Sequence, residues 1–209
     1  MKQKEEKGAL DQQVFKKIFF IIALLFSFNS FASEAGIKKV EDYFNNIKYI
    51  TSNFIQDDIT NSQLSEGMFY ISRPGKLRLD YVNPFEANLY TNNSVTVYYD
   101  KELDEISNIP TSTTPLHFLL KKEISFKDNS IKVIDFKETN DSIEISLKET
   151  EKENQGTLVL KFKKNPMEIK SIKLTNELGQ EIEISLFNIK TTPIKDSVFV
   201  FKNPRLKIN

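Results

Sequence analysis

Between Glu34 and Ile50 the apolar residues Ile37, Val40, Phe44 and Ile47 recur at spacings of three and four, which places them on one side of a helix. Lys38, Glu41, Asp42 and Lys48 fall on the other side, so the spacing predicts an amphipathic helix docked through one face. After Thr51 the period changes to two. Leu77, Leu79 and Tyr81 alternate with Lys76, Arg78 and Asp80, and Val95, Val97 and Tyr99 alternate with Thr96 and Tyr98. The same alternation runs through Ile143, Ile145 and Leu147, through Leu158, Leu160 and Phe162, and through Ile182, Ile184 and Leu186. Each such strand has one apolar face and one wet face.

Short turn signals separate these runs: Arg73-Pro74-Gly75-Lys76, Asn92-Asn93, Thr139-Asn140-Asp141, Lys164-Asn165-Pro166 and Leu178-Gly179-Gln180. About eleven strands fit between Thr51 and Phe201, joined mostly as hairpins, which predicts one large, curved, antiparallel sheet. A single segment with helical character, residues 110–123, interrupts the meander. Thr114 suits its N-cap, Pro115 its first position, and Lys121 and Lys122 its C-terminal dipole. With about two turns it is unstable in water unless Leu116, Leu119 and Leu120 meet an apolar surface. Phe118 lies off that stripe, so the segment is apolar on more than one side. A sheet with one greasy face needs a cover, and this segment and the N-terminal helix are the candidates for a lid.

Residues 1–32 read as a cleaved export signal. Lys16 and Lys17 precede an apolar run, Ser30-Phe31-Ala32 forms a cleavage site, and Ile18 to Phe28 is too short to span a bilayer. The expected mature chain, 33–209, is a single exported domain. It has no cysteine, hence neither a disulfide nor a lipid-modified N-terminus. Lys plus Arg equals Asp plus Glu at 29 each; removing the 5 basic and 3 acidic groups of the signal leaves 24 and 26. Nothing here recruits nucleic acid.

Catalysis finds no seat either. His117 is the sole histidine, no glycine-rich phosphate loop occurs among six glycines, and the acidic run at 148–154 reads as a solvated hairpin tip. The expectation is a non-enzyme without cofactor or metal.

The stretch "GMFYISRPGKLRLDYVNP" at 67–84, followed by "NLYTNNSVTVYYDKELDEI" at 88–106 and "TPLHFLL" at 114–120, resembles the LolA family of outer-membrane lipoprotein carriers. Beyond Glu123 the likeness rests on strand pattern and the closing "FVFKNP" at 199–204. The chain departs from the family at Asn92-Asn93, where an Asx-Gly hairpin is common, and near Asn176, where an Asp is. The resemblance implies a mainly β fold with a few helices, an open, unclosed antiparallel barrel whose apolar hollow is covered by lid helices. It implies Arg73 as the lid latch, hydrogen-bonding to lid backbone from the rim of a type II turn at Pro74 and Gly75. Leu77, Leu79, Tyr81 and Leu89 would line the acyl cavity. By alternation Val95, Val97, Tyr99, Ile145 and Leu160 join them, and Leu116, Phe118, Leu119 and Leu120 form the lid. Implied partners are lipoproteins through their acyl chains, an inner-membrane lipoprotein-releasing ABC transporter and, where present, the outer-membrane receptor LolB; the carrier itself would be a monomer. The alternatives are a lipid-binding periplasmic regulator or sensor of the same superfamily and an enzyme on the same scaffold.

Overall fold

A computed structural model describes residues 34–113, 115–128, 130–150 and 156–206. The expected export signal 1–32, the Thr114 cap and residues 151–154 of the acidic run lie outside the described residues. Helix α1 covers residues 34–46 and ends four residues before the predicted limit, because Tyr49 already begins a strand. Its inner face is Val40, Tyr43 and Phe44, with Ile37 and Ile47 half-buried. Glu41, expected on the wet side, is buried as well.

Eleven strands follow: β1 (Tyr49–Asp58), β2 (Gln63–Ser72), β3 (Lys76–Asn83), β4 (Ala87–Asn92), β5 (Val95–Asp100), β6 (Glu105–Pro110), β7 (Ile131–Glu138), β8 (Ser142–Glu149), β9 (Thr157–Lys164), β10 (Met167–Thr175) and β11 (Glu181–Lys190). They form one antiparallel sheet in the order β6-β5-β4-β3-β2-β1-β11-β10-β9-β8-β7. Two hairpin meanders are thus welded together by the β1–β11 pair, in which Phe54 faces Leu186. The expected turns join the expected strands, and Asn93, Gly75 and Gly179 take φ of 55°, 81° and 77°, the left-handed region that Asn and Gly tolerate. The φ of Gly75 is the positive value that the third position of the expected type II turn requires.

The sheet does not close. Its free edges are β6 and β7, and the segment that runs between them, 111–130, contains the predicted interruption. It forms two 3-10 helices, Thr111–Thr113 and Pro115–Leu120, rather than an α-helix. A strap fixed at both ends to opposite edges has little slack for a regular helix, and short apolar segments adopt the tighter coil.

Register stacks the inward side chains in tiers: Ile71 opposite Leu77, Phe69 opposite Leu79, Gly67 opposite Tyr81, and on the far side Ile145 opposite Leu160 opposite Ile172. In β5 the phase is the reverse of the expected one. Leu89 pairs with Tyr98 and Thr91 with Thr96, so the even-numbered residues face inward while Val95, Val97 and Tyr99 lie on the outer face. Val95 is 47% exposed. The outer face here is apolar because the C-terminal segment crosses it. Phe199 is buried, the carbonyl of Val198 accepts from Arg78 Nη1 at 2.9 Å, and the Phe201 ring lies 5.4 Å from Tyr90 and 5.8 Å from Tyr99. Two opposed apolar faces make period-two reading ambiguous about which one is inside.

At Gly67 the register shifts, and a methyl group would come within 1.8 Å of the Asp80 carbonyl oxygen, a backbone atom that cannot move aside. Gly67→Ala is expected to destabilise the fold by about 1–3 kcal/mol, seen as a lower urea midpoint with unchanged slope.

Candidate functional site

The inner wall of the sheet and the two elements above it make the candidate site. Leu77, Leu79, Tyr81, Ile145 and Leu160 are buried on that wall, and Leu89 is packed against it. Leu116, Phe118, Leu119 and Leu120 are all buried beneath the roof, Phe118 meeting Phe44 edge-on at 6.4 Å. A 3-10 helix turns its side chains by about a third of a circle per residue, which lets Phe118 share the contact surface.

The interior is therefore filled. Two small cavities remain among the described residues, one of about 10 Å³ between Phe44, Phe69, Arg73, Leu119 and Ile172 and one of about 40 Å³ between Phe118, Ile131, Leu147 and Leu158. A wider recess of about 770 Å³ lies between α1, the 126–128 loop and the start of β7, lined in part by Ile37, Phe126, Ile131 and Val133 of the same apolar cluster.

Polar contacts hold that roof. Arg73, 6% exposed, donates from Nε and Nη2 to the Lys121 carbonyl at 3.0 and 2.7 Å, and from Nη1 to the carbonyls of Phe44 and, at 3.5 Å, Ile47. Its backbone N–H reaches the Lys48 carbonyl at 2.8 Å, and the Gly75 N–H reaches the Leu120 carbonyl at 2.9 Å. The guanidinium thus bridges the C-terminal end of α1, where orphan carbonyls and the dipole favour a cation, and the end of the 3-10 segment. Burial lowers its pKa from the usual arginine value.

Three residues that the sequence did not single out anchor α1, two to the strap and one to the sheet. Asn45 brackets Ile124, donating to its carbonyl at 2.8 Å and accepting its N–H at 2.9 Å. Glu41 accepts the Phe126 N–H at 2.6 Å. Tyr43 accepts the Ile169 N–H at 3.1 Å, tying α1 to β10, and burial raises its pKa. His117 Nε2 lies 2.7 Å from Glu149 Oε1, and Lys121 Nζ donates to Ser130 Oγ at 2.8 Å. The only signal for Glu41 and Asn45 was their place on the helix, one turn apart. Among the described residues no group of three or more His, Asp or Glu stands where it could hold a metal, and no helix is long and apolar enough to cross a membrane.

The family model for the outer membrane lipoprotein carrier protein LolA matches residues 45–202, which takes in the sheet, the strap and Arg73. The chain belongs to the LolA family. An outer-membrane lipoprotein carrier protein of Legionella pneumophila (strain Corby) is 26% identical over 198 residues, covering 90% of this chain and 96% of that protein. An uncharacterized protein of Rickettsia prowazekii (strain Madrid E) is 26% identical over 197 residues, with 91% and 90% covered. Among solved structures, a LolA superfamily protein from Nitrosomonas europaea superposes with a TM-score of 0.44 at 6% identity, over 78% of this chain and 97% of that one. Family membership makes a carrier-like or binding role the coarse assignment, on the unclosed β scaffold described above.

If Asn45 staples the strap to α1, Asn45→Ala should free the Ile124 backbone. Hydrogen exchange at the Ile124 and Phe126 amides should accelerate about tenfold while the amides of β1 and β2 keep their protection, the loss of two hydrogen bonds being worth roughly 1–3 kcal/mol.

Proposed function

We propose that this LolA-family chain is a periplasmic carrier that takes up the acyl chains of lipoproteins released from the inner membrane and hands them on at the outer membrane. Residues 1–32 then serve as the export signal and 33–209 as the working, monomeric domain. The inner-membrane ABC transporter loads it, and LolB, where present, unloads it.

The observation that carries this reading is an apolar interior covered by side chains contributed from outside the sheet. Leu116, Phe118, Leu119 and Leu120 come from a strap outside the sheet, held by hydrogen bonds to Arg73 and Asn45. Burial of each such side chain is worth about 1.5–3 kcal/mol, so the four together contribute roughly 6–12 kcal/mol. An acyl chain of about sixteen carbons gains roughly 12 kcal/mol on leaving water. Exchange of roof for cargo is therefore close to balance, which is what a carrier that must both load and unload requires. On this reading Leu77, Leu79, Tyr81, Leu89, Ile145 and Leu160 are the acyl-contacting wall, and Arg73 is the latch. Val95, Val97 and Tyr99 belong to the outer face and take no part.

Arg73 competes with cargo, because its bonds exist only while the roof is down. In a release assay, spheroplasts bearing a labelled lipoprotein are incubated with the purified mature chain. The wild type is expected to carry the label into the soluble fraction and surrender it to outer-membrane vesicles bearing the receptor. Arg73→Leu should still release cargo but surrender it at least tenfold more slowly, the loss of charge-assisted hydrogen bonds costing the closed state about 1.5–3 kcal/mol each. A wild type that leaves the label on the spheroplasts excludes the carrier role.

A further inference from the structure

Buried polar groups in a folded chain are almost always hydrogen-bonded, and an orphan marks either a cost or a use. Among the described residues a single buried side-chain oxygen lacks any partner, the hydroxyl of Ser52. Ser52 is 1% exposed and lies on the inward face of β1 between Ile50 and Phe54, opposite Phe69 of β2. Ile50 and Phe69 both border the small cavity beneath Arg73 and Leu119. The hydroxyl thus belongs to the wall that the roof covers, three residues along β1 from the Tyr49–Ser72 pair beside the latch.

The other polar groups of this interior are committed. Thr91, Thr96 and Thr111 bond to one another at 2.8 and 3.1 Å, Tyr81 donates to Gln56 at 2.9 Å, Tyr43 takes the Ile169 N–H, and Arg73 serves the roof carbonyls. Ser52 alone among the buried side-chain oxygens of the described residues has no hydrogen-bond partner of any kind. An acyl chain entering this space brings a carbonyl with it, since it is attached through an ester or an amide, and that oxygen loses its water on entry. A wall without a free donor would leave it unsatisfied.

We propose that Ser52 is a cargo-contacting residue whose hydroxyl donates a hydrogen bond to an acyl-ester or acyl-amide carbonyl of the bound lipid. The assignment rests on the carrier reading and adds to it a means of telling acylated lipid from bare hydrocarbon.

The test uses the mature chain and Ser52→Ala with two synthetic lipopeptides, one carrying a diacylglyceryl cysteine and one its dialkyl ether counterpart, and measures all four affinities. Wild type divided by variant should favour the ester probe over the ether probe by about fivefold, the worth of one neutral hydrogen bond. Ser52→Ala should at the same time raise the denaturation midpoint, because it deletes an unsatisfied hydroxyl. The same pair built on phosphatidylethanolamine identifies the source of the carbonyl: a coupling confined to the phospholipid overturns Ser52 as a lipoprotein contact. A coupling of unity with the lipopeptides, or a lower midpoint without any coupling, overturns the proposal while leaving the carrier reading intact. Absence of binding to either lipopeptide by the wild type removes the carrier reading, and Ser52's role with it.

Discussion

One cation organises the upper end of this molecule. The Arg73 side chain is buried where α1 ends, where β2 turns into β3 and where the strap passes over, and the acceptors that hold it are backbone carbonyls of Phe44, Ile47 and Lys121. A carboxylate in their place would make separation expensive, since breaking a buried ion pair costs on the order of 3–5 kcal/mol. Neutral carbonyls orient the guanidinium with less commitment. Because they belong to the main chain, no side-chain substitution in α1 or the strap deletes them. This junction is therefore specified almost entirely by one residue.

The sheet supplies the complementary constraint. Two meanders joined at β1–β11 curve far enough to enclose a space but leave β6 and β7 unpaired, and the chain that bridges these edges is the roof itself. Opening needs no break in the strand ladder. What holds the strap down are the contacts of Arg73 and Gly75, the bonds from Asn45 and Glu41, the His117–Glu149 pair and the docking of four apolar side chains. A stable frame and a loosely held cover are in this way separated along the sequence, the frame in long-range hairpins and the cover in one short connection.

Most of this architecture was legible from periodicity. Alternation located the strands, the Gly, Pro and Asn signals located the hairpins, and the Ile37, Val40, Phe44 spacing located α1. What eluded reading had physical causes. Val95, Val97 and Tyr99 mislead because the C-terminal segment buries the opposite face of the same strands, so that apolar character no longer reports inwardness. Glu41 and Asn45 look like solvated helix residues, and only the path of the distant 124–126 backbone gives them partners. Beneath the strap only small cavities remain, because Leu116, Phe118, Leu119 and Leu120 occupy that space, which the strand pattern alone could not reveal. Arg73 could be named in advance from its motif, whereas its acceptors on two separate elements could not. Ser52 gave no signal at all, since a small polar residue in an alternating strand looks ordinary until its surroundings are known.

Helix α1 has a second consequence through Gly36. A single carbon added there would lie 2.3 Å from the Phe136 ring and 2.6 Å from Glu138 Oε2, so the helix rests directly against β7, one of the two unpaired rims. Unpaired rims invite neighbouring chains to add on, and proteins guard them with whatever can be laid across. Here the guard is the same piece that shields the interior. Any departure of α1 uncovers greasy wall and bare strand at one stroke, and an empty molecule caught in that posture is primed for aggregation.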